Sequence, residues 1–369
     1  MPRVAGPPGR AVSRRPATKP PATKPSGPEP SGPEPSGARR PSPGAPDPAP
    51  PERRSFMTRA FIFPGRGAET IGMGLHYVQA YPSARYVFQE IDEALGQELS
   101  RLIFEGPEDE LADPENADPA MLAVSLAGVK ALEAQGDLWL SETGKFVAGH
   151  GRGELTALAA VDALSAGEAA KWLRARARAV WSAYPRAKGA ICTVHGLDLA
   201  TVKALAEAAG KQGVCELARD DAPDSHAVSG ERTAVEAFVA AAAKKGGETQ
   251  FLDGIPPLHC PLMDPAVAQL QETLADLPVA PPKLPLVSNV TAYALESPDE
   301  IRNRLAEQVA RPIRWRESVE YMTDHGVTEF LEIGHGDDLS TYVRAISGSH
   351  EAHAIEDAQD IERALDDVL

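Results

Sequence analysis

The stretch Val147-Ala148-Gly149-His150-Gly151-Arg152-Gly153-Glu154 has the spacing of a G-x-S-x-G nucleophile elbow. In that motif a sharp strand-to-helix turn lifts one side chain into a pocket, where it attacks a carbonyl. Position 151 is glycine, which offers no attacking atom. The stretch is laid out for covalent acyl chemistry with its nucleophile missing. Glycine at the centre of such a turn is physically reasonable. The turn holds its middle residue in a strained backbone conformation, which costs a non-glycine residue about 1–3 kcal/mol and glycine nothing comparable. Two other groupings could carry chemistry. Arg174, Arg176 and Arg178 recur at alternate positions of a helical segment, so at most one or two of them face the same side. His259 is followed directly by Cys260, a pair that raises the idea of a replacement thiol nucleophile; a small buried cysteine is the simpler reading. Gly334-His335-Gly336-Asp337-Asp338 reads as a charged turn and not as a metal site.

These residues need elements to position them. Ala60-Phe61-Ile62-Phe63 is a short buried strand running into the turn-rich Pro64-Gly65-Arg66-Gly67. Apolar spacing predicts a helix between Tyr81 and Leu95. Pro119 is expected to open a helix running to Leu132. Lys145–Ala148 reads as a strand, with helices beginning at Glu154 and at Glu168. From Gly189 onward the pattern becomes strand 190–194, helix 199–209, strands 214–217 and 225–228, helix 233–244 and strand 249–252. That β-α-β-β-α-β order predicts a compact ferredoxin-like lobe. Strands 286–289 and 329–333 then resume the larger elements. The fold class is α/β: a large body interrupted by a small α+β lobe.

Composition bounds the rest. Residues 1–56 hold 17 of the 34 prolines and a net charge of +6, which leaves −22 for the remainder of a chain at −16. So proline-rich a segment is expected to be disordered, with polyproline II character. Met57 reads as the natural start; the rival reading is a basic tether to a partner. A body at −22 argues against nucleic acid as a partner, and no apolar run reaches membrane-spanning length. The three cysteines, Cys192, Cys215 and Cys260, lack metal spacing and read as reduced thiols of a cytoplasmic protein.

Seven motifs in order give a family resemblance over nearly all of residues 59–345. They are Phe63-Pro64-Gly65-Arg66-Gly67-Ala68-Glu69, Gly149-His150-Gly151-Arg152-Gly153-Glu154, the Arg176 position, Leu258-His259-Cys260, Asn289-Val290-Thr291, Pro312-Ile313-Arg314-Trp315 and Glu332-Ile333-Gly334-His335-Gly336. Together they resemble the malonyl-CoA:acyl carrier protein transacylases of fatty-acid and polyketide synthesis. The resemblance implies an α/β-hydrolase-like large subdomain (57–186 and 256–369) with an inserted ferredoxin-like small subdomain (187–255), after the extension 1–56. It implies two-step acyl transfer through a serine at position 151, with His259 as general base. It puts oxyanion donors at the backbone amides of Arg66 and Arg152. Substrate binding falls to Arg176, which would grip a free carboxylate in a bidentate pair, and to His150, Asp118 and Asp221. No cofactor and no metal are implied. Acyl-CoA is the implied ligand and phosphopantetheinylated acyl carrier protein the implied partner.

The departures from the family pattern gather around the pocket. Gly151 replaces the serine, Arg66 a glutamine, Asp118 a glutamine, Asp221 an asparagine, Leu258 a serine or phenylalanine, and His335 a proline. A backbone donor survives such exchanges, so the oxyanion hole can persist where the nucleophile is gone. Arg66 and Arg152 read equally as surface charges or as attraction for an anionic thioester. Three outcomes remain open: a non-catalytic binding or scaffold protein, a thioesterase whose water His259 activates, or direct transfer to a thiol that His259 deprotonates.

Overall fold

The computed structural model describes residues 58–65, 69–136 and 139–368. The expectations for residues 1–56, Met57 and Arg66 lie outside the described residues. Among the described residues ten strands form two sheets. β1 (Arg59–Phe63), β2 (Gly144–Gly149), β7 (Leu286–Val287), β8 (Ala294–Leu295), β9 (Glu329–Ile333) and β10 (Glu351–Ile355) make a six-stranded sheet in the order β10-β9-β1-β2-β7-β8. Its first five strands run parallel and only β8 is antiparallel. All five residues of β1 and of β9 are buried. Central parallel strands are covered on both faces, which is why residues 60–63 read as an unbroken apolar run; in β9 the buried Glu329 pairs with Arg59, and Glu332 accepts the amides of Leu339 and Ser340.

The second sheet is antiparallel: β4 (Cys215–Ala222), β5 (Ser225–Glu231), β3 (Gly189–His195) and β6 (Glu248–Phe251), in the order β4-β5-β3-β6. The helices Leu199–Ala209 and Arg232–Ala243 pack through Val202, Ala206, Val235 and Phe238 onto one face of it. Asp198 caps the first by accepting the Thr201 amide at 2.7 Å. The sheet's other face presents Ile191, Ala218 and Ala227. There β4 is stitched to the larger body: the Asp220 amide donates to the Ile313 carbonyl, and the Ile313 amide to Ala218, both at 2.9 Å.

Three elements around the site differ from their sequence-based expectation. The helix expected to open at Pro119 runs from Pro114 to Gly136 with Pro119 inside it. Proline cannot donate to the carbonyl four residues back, and here that carbonyl, Glu115, accepts the Nε–H of Arg174 at 3.0 Å instead. The strand expected over 286–289 stops at Val287, because the Asn289 amide leaves the ladder for the Glu154 carboxyl at 2.6 Å. β4 runs on through Arg219-Asp220-Asp221, whose charges are paired: Asp220 with Arg316 at 2.8 Å and Asp221 with Arg219 at 3.3 Å.

The C-terminal ends of β1 and β2 lie side by side and carry the elbow, in the position where open parallel sheets place their ligands. The turn depends on close backbone approach. A Cβ on Gly153 would overlap the Phe63 carbonyl, and one on Gly149 the Gly153 carbonyl. Gly151 sits between them at φ 58°, but a Cβ there would meet only Ile313 Cδ1, at 3.5 Å. Two alanine variants should therefore separate. Gly153→Ala is expected to destabilise the fold by about 3 kcal/mol through overpacking, whereas Gly151→Ala costs about 1 kcal/mol for its left-handed backbone. Urea unfolding midpoints measure both; equal losses would contradict the packing described.

Candidate active site

Gly151 is held by its backbone at both ends. Its amide donates to Asn289 Oδ1 at 2.6 Å, and its carbonyl accepts from Gln308 Nε2 at 2.7 Å. Asn289 also donates through Nδ2 to the Gly149 carbonyl at 2.7 Å. Behind them lies Glu154, fully buried, accepting the Asn289 amide and the Gln308 side-chain amide. Burial pushes the Glu154 carboxyl up to about 8, against the opposing pull of those hydrogen bonds and of Arg176.

His259 lines the same cavity as Gly151. Its backbone is left-handed at φ 66°, an uncommon conformation for a residue with a side chain, and its amide donates to the Val309 carbonyl at 2.7 Å. The ring Nδ1–H donates to the Gln308 carbonyl at 2.8 Å. A carbonyl only accepts, so this bond fixes the tautomer and leaves the lone pair on Nε2. Burial drives the imidazole down to about 3; the Gln308 carbonyl opposes this, and Arg176 and Arg219 add to it. His259 is thus a neutral acceptor at pH 7. Cys260 takes no part: burial pushes its thiol up to about 11, and its Sγ–H donates to the Pro257 carbonyl at 3.2 Å.

Charged side chains ring the cavity in two clusters. In the first, the buried Asp118 carboxylate pairs with Arg152 through Oδ1 and lies 3.9 Å from Arg176 Nη1 through Oδ2. Arg152 also donates to the Gly65 carbonyl at 3.3 Å and approaches Glu69 at 3.4 Å. Of the three alternate arginines only Arg176 faces the cavity, donating to Gln308 Oε1 at 3.3 Å. Arg174 serves the Glu115 carbonyl and Arg178 pairs with the Glu115 carboxylate. In the second cluster Asp221 accepts His150 Nε2–H at 2.8 Å and pairs with Arg219. The His150 ring also meets Trp315 edge-on, with centroids 5.6 Å apart.

The structure therefore brings Asp118, His150, Gly151, Arg152, Arg176 and His259 to one cavity, with Asp221 directly behind His150. Gln308 and Arg219 were not legible as site residues. Gln308 sits in an ordinary polar helix end and acts through its backbone carbonyl as much as its side chain. Arg219 had a usable signal: two residues before Asp221 on a strand, it belongs to the same face.

Residues 60–362 match the acyl transferase domain family, and the chain belongs to that family. Among its relatives, the malonyl CoA-acyl carrier protein transacylase of Bacillus subtilis (strain 168) is 34% identical over 308 residues, 83% of this chain and 96% of the relative. A crystal structure of an acyl-carrier-protein S-malonyltransferase from Bartonella henselae superposes with a TM-score of 0.82 at 37% identity, covering 85% of this chain and 99% of that one. A type II PKS malonyl-transacylase in complex with its acyl-carrier protein gives 0.80 at 30% identity, over 84% and 99%. Among the described residues no helix is long and apolar enough to cross a membrane.

The buried imidazole has a consequence for stability. Its folded-state pKa, about 3, lies below its ordinary 6.5, so between those values the unfolded chain binds the extra proton. That contribution is fully present above pH 6.5 and is lost as the pH falls toward 3. Glu154, raised from 4.5 to about 8, acts oppositely: its contribution is lost as the pH rises through that window. Urea titrations of the protein and of His259→Gln isolate the histidine. The variant should lose the acid-side slope below pH 6.5, by up to about one proton per molecule; an unchanged slope would contradict the assignment.

Proposed function

We propose that this chain is a malonyl-CoA:acyl carrier protein transacylase-like protein of fatty-acid or polyketide synthesis whose nucleophile position is occupied by Gly151. It binds acyl-CoA and acyl carrier protein but does not form an acyl-serine. The carrying observation is the elbow itself: Gly151 stands at φ 58° at the end of β2, bonded at both backbone ends, in one cavity with His259. His259 is the proposed general base, and the backbone amides of Arg66 and Arg152 the proposed oxyanion donors. Arg176, His150, Asp118 and Asp221 are proposed to contact the acyl thioester. The relatives' names support malonyl thioesters as substrates and acyl carrier protein as partner.

The alternative reading is a thioesterase in which His259, its Nδ1–H held by the Gln308 carbonyl, takes a proton from water through Nε2.

Intact-protein mass spectrometry after incubation with malonyl-CoA tests the proposal. The wild type is expected to stay unmodified and to release little CoA, whereas Gly151→Ser gains one malonyl group. A Cβ at position 151 meets only Ile313 Cδ1, at 3.5 Å. Losing a nucleophile removes most of such an enzyme's rate, so CoA release should rise on the order of 10³-fold or more in the variant. A malonyl adduct on the wild type would overturn the proposal; rapid CoA release without one would establish the hydrolase instead.

A further inference from the structure

We infer that Asp118 is a built-in counter-ion to Arg176, and that it weakens this site's selection of carboxylated over neutral acyl groups. The inference rests on reading the cavity as an acyl-thioester site. Asp118 is buried in the helix Pro114–Gly136 and followed at once by Pro119. The Asp118 side chain is 3% exposed. One oxygen is taken by Arg152 and the other stands 3.9 Å from Arg176. Arg152 is fixed in turn by the Gly65 carbonyl and Glu69.

A guanidinium at the wall of a cavity attracts a ligand carboxylate through charge and paired hydrogen bonds. Here a carboxylate of the protein already stands beside it. A second one arriving with the ligand is buried next to a like charge, which disfavours ionisation of either. The other charges do not reverse this. Arg219 is paired with Asp221 at 3.3 Å, and Asp221 also holds His150 at 2.8 Å. Three arginines, Arg152, Arg176 and Arg219, face Asp118, Asp221 and Glu69, so the charges balance and none is focused on Arg176. A neutral acyl group loses nothing by this arrangement, whereas a malonyl group loses most of the pull that an uncompensated Arg176 would exert.

The two neighbours of Arg176 give variants of opposite sign. Asp118→Asn keeps the shape and removes the negative charge, so it should strengthen malonyl binding. Arg152→Leu leaves Asp118 to Arg176 alone, so it should weaken malonyl binding. Isothermal titration calorimetry of the full chain with malonyl-CoA, acetyl-CoA and free CoA reads the ratio; CoA corrects for the shared nucleotide and pantetheine. The wild type is expected to bind the two esters within about threefold of each other. Asp118→Asn should shift the ratio toward malonyl by roughly tenfold or more, and Arg152→Leu should shift it several-fold the other way. Both esters binding with a ratio that neither folded variant moves would overturn the inference alone. Neither ester binding better than free CoA to any of the three proteins would overturn the proposed function, and the inference with it. If Asp118→Asn does not fold, the sign of the Arg152→Leu shift decides.

Discussion

One buried carboxyl organises the cavity. Glu154 lies in the first turn of the helix after β2 and holds the Asn289 amide and the Gln308 side chain. Those two residues come from segments more than a hundred positions away, and between them they grip the Gly151 amide and carbonyl. Gln308 then spends its own carbonyl on His259. The elbow, the histidine and the segment after β7 are thus one hydrogen-bonded unit with every link inside the protein. A partly satisfied network at this depth would be costly, whereas a complete one specifies a single geometry.

The geometry is independent of what stands at position 151. Asn289 and Gln308 bond the backbone of that residue and not its side chain. A serine and a glycine would be presented in the same way. Position, tautomer and turn are set by backbone groups that do not depend on the side chain at 151.

Legibility of the sequence followed the range of the interactions. β1 was readable because a central parallel strand is covered on both faces and residues 60–63 are all apolar, and the small lobe was readable from the order of its elements. The turn announced itself through Gly149 and Gly153, where backbone meets backbone, and through Gly151 at its left-handed centre. What escaped was set by distant partners. Pro119 reads as a helix start until Arg174 is known to take over the bond it forgoes. Asn289 reads as the end of a strand until Glu154 claims its amide. Gln308 contributes a carbonyl, a group that every residue possesses and no pattern reveals. The arginines at 174, 176 and 178 could be narrowed by helical geometry but not resolved, because the neighbouring helix decides which of them turns inward.

The exchange between Pro119 and Arg174 reaches further than one rescued carbonyl. It binds two long helices at a point beside Asp118 and two residues from Arg176. Neither partner is free to drift by itself: an ordinary residue at 119 would compete with Arg174 for the Glu115 carbonyl, and a shorter side chain at 174 would strand it. In descendants of this chain the two positions should change together or not at all, an inherited bond between residues that share no chemistry with any ligand.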